Sequence, residues 1–332
     1  MSIPSLQQAR DAVAKKNYKE AQQIYDEILA LDPKTTNLSH EKVVELQESA
    51  ILDLGELYKS QKDSESLVAL ISKARDIMGS FAKSKTAKVI KSLIDLLEQI
   101  DAENTVDLTI KVTQECIDWA IEEKRTFLRQ SLQSRLAGLY YKKHNYQDSL
   151  AILEKLLKEL KKLDDKSSLV EVQLLEAKNF FQLKNFPKSR AAITSSRTSA
   201  NAIYCPSQLQ AELDLMSGIL HAEDKDFKTA YSYFYESFEN YQLHPEKVEF
   251  KAIKVLKYML LCKIMTNNVD EVSQIVKSKN CVKYQDSKEI EAMKSVASAY
   301  SNRSLKELEN SLKVYSNELT QDLIIRSHLS DF

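Results

Sequence analysis

KNYKEAQQIYDEILALDP, from Lys16 to Pro33, and HNYQDSLAILEKLLKELKKLD, from His144 to Asp164, state the same word 128 positions apart: Asn-Tyr, an acid, a small residue, then an apolar stripe at helical spacing. Degenerate copies of that phase occur at Asp63-Ser64, Asn104-Thr105, Asn185-Phe186, Asp226-Phe227, Asn268-Val269 and Ser304-Leu305. Counted on the second residue of each pair, the steps are 46, 41, 41, 40, 41, 42 and 36 residues. A period near 41 that persists along the whole chain is the mark of stacked helical hairpins. The leading residue is Asn, Asp or Ser in every copy, a side chain that accepts from the orphan N–H groups at a helix start. Three residues later stands Glu20, Asp107, Asp148, Glu271 or Glu307 in five of the eight copies, as in a capping box. Each copy is therefore expected to open the second helix of a hairpin.

The first helices carry a mark of their own. Eight or nine residues before the phase position, in six of the eight copies, sits a small residue: Ala9, Gly55, Gly138, Ala177, Gly218 or Ala297. A glycine inside a helix costs about 1 kcal/mol against alanine, so close helix approach is the expected compensation, and Gly138→Leu is expected to overpack. The words LGELY at Leu54–Tyr58 and AGLYY at Ala137–Tyr141 are similar to the tetratricopeptide signature, although that repeat has a period of 34. The expected fold is all-α, a right-handed solenoid of about eight hairpins, tetratricopeptide-like with a period near 41, elongated rather than globular. Pro4, Pro206 and Pro245 fall where first helices should start, Pro33 follows a helix end and Pro187 lies in a first turn. Tyr18, Tyr146, Phe186 and Phe227 are expected as core anchors between hairpins, and Trp119 as a core residue.

Composition excludes several functions. The 332 residues include only four glycines and five prolines, and their formal net charge is −1, so no basic field draws the chain to nucleic acid or anionic lipid. No apolar run is long enough to span a membrane, and MSIPSLQQARD has no signal-like core, so cytoplasm and nucleus are the expected compartments. Cys116, Cys205, Cys262 and Cys281 form no Cys-x-x-Cys and are expected to be reduced thiols. The histidines at 40, 144, 221, 244 and 328 have no zinc-site spacing, and glycines at 55, 79, 138 and 218 cannot form a phosphate loop. Asp164-Asp165 reads as a helix end and loop. No catalytic residue, metal site or cofactor site is marked, and no enzyme is expected. The charged feature kept as a candidate partner contact is Lys85, Lys88 and Lys91 in FAKSKTAKVIK, spaced to share one helix face and able to meet an acidic partner.

Longer words add a resemblance. RTSANAIYCPSQLQAELDLMSGILHAEDKDFKTAYSYFYESFENY from Arg197 to Tyr241, FAKSKTAKVIKSLID from Phe81 and KKLDDKSSLVEVQLLEAK from Lys161 resemble proteasome lid subunits of the non-ATPase regulatory subunit 11 type. That group belongs to the proteasome–signalosome–initiation-factor scaffold family. The resemblance implies a helical-repeat arm over 1–204 and, over 205–332, the helical-hairpin part of a C-terminal module, with its winged helix absent here. It implies a non-catalytic scaffold of the regulatory-particle lid, with lid subunits, ATPase-ring subunits and core-particle outer-ring subunits as partners in ubiquitin-dependent degradation. A signalosome or initiation-factor scaffold is the alternative; a carboxylate-clamp co-chaperone would need strict 34-residue repeats. As a fragment, the chain is expected to be monomeric or weakly self-associating, through a terminal helix near Leu312–His328 whose stripe of Leu312, Tyr315, Leu319, Leu323 and Ile324 is partly exposed.

Overall fold

The structure, a computed structural model, describes residues 5–32, 34, 38–100, 105–243 and 245–330. Every described element is helical. The hairpins are α1 (Leu6–Ala14) with α2 (Tyr18–Leu29), α3 (His40–Ser60) with α4 (Ser64–Ile77), α5 (Lys83–Glu98) with α6 (Thr105–Glu122), and α7 (Thr126–Lys142) with α8 (Tyr146–Leu163). They continue with α9 (Lys166–Gln182) and α10 (Phe186–Asn201), α11 (Ser207–Glu223) and α12 (Phe227–Gln242), α13 (Pro245–Met265) and α14 (Val269–Val276), and α15 (Lys288–Ser301) and α16 (Leu305–Val314). Two short helices follow, α17 (Ser316–Leu319) and α18 (Leu323–Leu329). All eight second helices begin on the residue that the repeat phase marks. The chain divides into two compact units, residues 1–156 and 157–332. In the first, α1 packs on α3 and α3 on α5; in the second, α9 packs on α11 and α13 on α15. First helix on next first helix is the stacking of a helical solenoid.

The caps explain why the phase is legible. Asp63, Asn185, Asp226 and Ser304 each accept from the backbone N–H three residues on, at 3.0–3.3 Å. Asn17 and Asn268 make no such bond; Asn17 instead donates its amide to Glu20. Asn104, Pro4 and Pro33 lie outside the described residues. Pro206 caps α11, Pro245 opens α13 and Pro187 sits in the first turn of α10, all places where a missing N–H costs little.

The residue before each cap was not legible. Lys16, Lys62, His144, Lys184, Lys225, Asn267 and Arg303, together with Lys124 and Asp164, all take positive φ between 51° and 63°. Each lies where the chain turns from one helix into the next, and the following N–H reaches back to the carbonyl five residues earlier, as from Asn145 to Tyr140 at 2.9 Å and from Asp226 to His221 at 3.0 Å. That is a Schellman closure without glycine. A left-handed conformation costs a non-glycine residue about 1–2 kcal/mol, so packing of the hairpins must outweigh it at nine positions. Asp164 and Asp165 accordingly form a turn and a cap: Asp165 accepts from the Ser168 N–H at 3.2 Å.

Buried serines fasten helix to helix. Ser149 and Ser189 donate to the carbonyls of Ala137 and Ala177, both at 2.8 Å, and Ser196 and Ser237 to those of Val170 and Ala211, both at 2.7 Å. Each satisfies a hydroxyl that burial would otherwise penalise.

Three expectations need correction. Aromatic residues at the start of second helices do not all anchor the stack: Tyr18 is 37% exposed, and Tyr146 and Phe186 are half-buried. Their rings close their own turns, Tyr146 against Tyr141 at 5.6 Å and Phe186 against Phe181 at 5.5 Å; Phe227 alone is buried. Trp119 is half-buried on the core of the first unit, with the Arg125 guanidinium 5.2 Å from its ring centroid.

Gly138 is the second correction. A Cβ there would meet nothing within 4 Å, whereas one at Gly55 would lie 2.9 Å from methyl carbons of Leu93 and Leu96 on α5, and one at Gly218 only 2.6 Å from the Phe234 ring. The contact position is nine residues before the second helix, which in that hairpin is the fully buried Ala137; Gly138 is one residue out of phase. Gly138→Ala is therefore expected to stabilise the protein by about 0.5–1 kcal/mol through helix propensity alone, measured as a raised urea midpoint.

The third concerns the last residues. There is no single helix over 312–328: the chain breaks at Tyr315 and again before Asp322. Leu319 becomes fully buried, Leu312, Tyr315 and Ile324 half-buried, and only Leu323 stays exposed. Folding back brings His328 edge-on to Phe227 at 5.3 Å.

Candidate interaction surface

The four described cysteines are all free thiols, and burial raises the pKa of each, to about 11 for Cys116 and about 12 for Cys262. At neutral pH Cys116 and Cys262 are therefore held as thiols rather than thiolates. Among the described residues no group of three His, Cys, Asp or Glu side chains could hold a metal ion, and no helix is long and apolar enough to cross a membrane. What the surface does carry is organised charge.

In the first unit, Arg10 on α1 meets Asp53 on α3 at 2.8 Å, Glu48 on α3 meets Lys85 on α5 at 3.6 Å, and Glu98 on α5 meets both Arg135 and Lys142 of α7 at 2.9 Å. Arg135 also pairs with Asp95 and donates to the Lys91 carbonyl at 3.2 Å. The second helices repeat the device: Asp26 on α2 with Lys73 on α4 at 2.9 Å, and Arg75 on α4 with Glu115 on α6 at 3.5 Å. In the second unit Glu212 on α11 takes Lys178 from α9 at 2.7 Å and Lys251 from α13 at 3.1 Å. Exposed pairs contribute about 0–1 kcal/mol each, so these ladders set register more than stability.

Glu212 is the exception. Burial would raise its pKa, but Lys178 and Lys251 together hold it below the ordinary 4.5. A carboxylate with a lowered folded pKa adds stability that is present above 4.5 and is lost as pH falls through the folded value. Glu212→Gln is thus expected to cost about 1 kcal/mol at pH 7, and the gap to the parent should narrow and close as the pH is lowered from 4.5 through the folded value, as a series of urea melts over that range would show.

The structure places the three candidate lysines differently from one another. Lys85 is exposed and turned toward Glu48, Lys88 is exposed, and Lys91 is half-buried beside the Arg135 cluster. They form a diagonal ridge on α5, running from the α3 side to the α7 side. Sequence reasoning missed Lys83, exposed one position into α5, and Phe127 on α7, which is 80% exposed. No periodicity marks Phe127, because an exposed aromatic breaks the pattern that identifies core. The second unit has a groove of about 530 Å³ floored by Phe181, Ile253, Tyr258 and Ile324 and rimmed by Phe250 and Leu323, which are 68% and 66% exposed.

Comparison with known proteins decides the family. The chain is 47% identical over 338 aligned residues to the 26S proteasome regulatory subunit RPN6 of Saccharomyces cerevisiae, covering 99% of this chain and 77% of that one. It belongs to the RPN6 family. A probable RPN6 of Schizosaccharomyces pombe is 45% identical over 99% of this chain and 76% of its own length, and a non-ATPase regulatory subunit 11 homologue of Arabidopsis thaliana is 44% identical over 88% and 68%. The family model described as the RPN6 N-terminal domain matches residues 2–143. The matched RPN6 segment thus contains α1 to α7, with the ion-pair ladder of the first unit, the lysine ridge and Phe127.

Proposed function

We propose that this RPN6-family chain is a non-catalytic scaffold of the proteasome regulatory-particle lid. In this reading it helps hold lid, ATPase ring and core particle together for ubiquitin-dependent degradation in cytoplasm and nucleus. The observation that carries the reading is 47% identity, sustained over 99% of the chain, to a protein named as a proteasome regulatory subunit. Stacked helical hairpins whose faces carry organised charge suit a part that binds other proteins.

The roles divide along the chain. Residues 1–204 serve as an arm toward the ATPase ring and the outer ring of the core particle, with Lys85, Lys88 and Lys91 among its contacts. Residues 205–332 form the helical part of the module that joins neighbouring lid subunits.

The test is to add the purified, tagged full-length chain to lid lacking this subunit and resolve the product on a native gel. Recovery of a lid that then binds the ATPase ring is the expected result. Co-purification with a signalosome or an initiation-factor complex, and none with proteasome subunits, would overturn the assignment.

A further inference from the structure

We propose that the groove between α12 and α14 is a docking site for an arginine side chain of a partner protein, held by the Tyr235 ring face and the Glu239 carboxylate. The inference rests on the scaffold reading above and names the chemistry of one contact within it. It starts from an arrangement that the second unit already uses. Tyr231 of α12 has the Lys263 ammonium 4.3 Å from its ring centroid, and that ammonium also pairs with Glu271 of α14, so a ring face and a carboxylate together hold one cation. One turn further along α12 the ring and the carboxylate recur without a cation among the described residues. Tyr235 is 44% exposed, and its ring stacks on that of Tyr231 at 6.5 Å. Glu239, half-buried, accepts from the Asn280 amide at 3.1 Å and forms no ion pair among the described residues.

The groove offers such a side chain a bed as well as a charge. It measures about 510 Å³, is lined on the α12 side by Tyr231, Tyr235 and Glu239, and has a floor of Phe238, Met259 and Cys281 that is 1–3% exposed. The Glu239 charge is felt within it: ahead of burial it raises the Tyr235 phenol pKa, and after burial it raises that of Cys281. A half-buried carboxylate without a counter-charge is costly, and a cation brought to it offsets that cost. Arginine fits better than lysine, because its planar guanidinium stacks on a ring, its fork donates to a carboxylate, and it is the more weakly hydrated cation. Its methylenes would lie on the apolar floor. Glu239, with the exposed Glu236 three residues before it, repels phosphate, so neither nucleic acid nor an anionic bilayer suits the groove. The other charge in the lining, Lys279, is exposed and pairs with no carboxylate among the described residues, so it opposes an incoming cation.

The experiment places a benzoyl-phenylalanine photo-crosslinker at Gln274, an exposed residue in the lining on α14, in the full-length chain assembled into purified regulatory particle with core particle. Mass spectrometry is expected to find the adduct on another subunit, within a few residues of an arginine. Glu239→Gln should lower the adduct yield about ten-fold and Tyr235→Leu about five-fold, Tyr235→Phe should restore it to within about two-fold of the parent, and Lys279→Glu should raise it. Tyr235→Leu alters an exposed side chain and should melt with the parent, so its loss of yield is not a loss of fold. Changing the partner's arginine to alanine should act as Glu239→Gln does, and the two changes together should cost no more than either alone. Adducts to a second copy of this chain or to a segment without arginine, no adduct at all, a yield unaffected by Glu239→Gln, or additive losses in the double variant would overturn the proposal. Native gels on the same samples separate the two levels. A parent chain that never enters the particle defeats the scaffold reading and this inference together; normal entry with crosslinking insensitive to Glu239 defeats the inference alone.

Discussion

Gly218→Ala is expected to destabilise the second unit by about 2 kcal/mol, although alanine is the better helix former. The new methyl carbon would lie 2.6 and 2.7 Å from two carbons of the Phe234 ring, well inside van der Waals contact. That ring cannot retreat, because Phe234 is 1% exposed and packs 5.4 Å from the ring of Tyr258, which is itself fully buried. Overpacking of this kind costs about 1–3 kcal/mol, here near the upper end, and the gain of about 1 kcal/mol in propensity offsets part of it. A drop in melting temperature of several degrees is the readout. Gly55→Ala is the control. Its neighbours are the terminal methyls of Leu93 and Leu96, which can rotate aside, so its net effect should stay within about 1 kcal/mol. Equal effects at Gly55, Gly138 and Gly218 would show that close approach is not what distinguishes these positions.

Asp322→Ala should cost more, about 3 kcal/mol. Asp322 accepts from the Tyr258 hydroxyl at 3.0 and 3.1 Å, caps α18 by accepting from the Ile324 and Ile325 N–H groups, and lies 3.4 Å from the Lys257 ammonium. The ammonium also donates to the Glu318 carbonyl at 3.1 Å, and its side chain is only 8% exposed. Deleting the carboxylate therefore removes a helix cap and leaves a buried cation with one neutral acceptor, the costly half of a broken ion pair. Hydrogen exchange should show α18 losing protection before the rest of the unit. Lys257→Met combined with Asp322→Ala should recover part of the loss, since an uncharged pair removes the unpaired charge. If Asp322→Ala melts with the parent and keeps α18 protected, this junction does not hold the terminal helix in place.

These two sites also show how far the chain can be read without its neighbours. The repeat phase located the start of all eight second helices, from Tyr18 to Leu305, because capping is local: an Asn, Asp or Ser and the first turn it serves lie within four residues. Helical class, hairpin order and family likeness follow from the same short-range words. The turns themselves were not legible, since Lys, His, Asn, Asp and Arg occupy the left-handed positions that glycine favours, held there by the packing of the helices they join. The glycine phase was legible only in part. Gly55, Gly138 and Gly218 look equivalent along the chain, yet only the facing helix decides which of them is crowded: leucine ends at one, open space at the next, an immobile phenylalanine ring at the third. The fold-back of α17 and α18 onto Tyr258 and Lys257, the ion-pair ladders and the exposure of Phe127 lay equally beyond the sequence. The fold-back and the ladders depend on residues about 35 to 65 positions apart being brought together by packing, and a pattern read over one helical turn carries no record of which side chain will arrive opposite it.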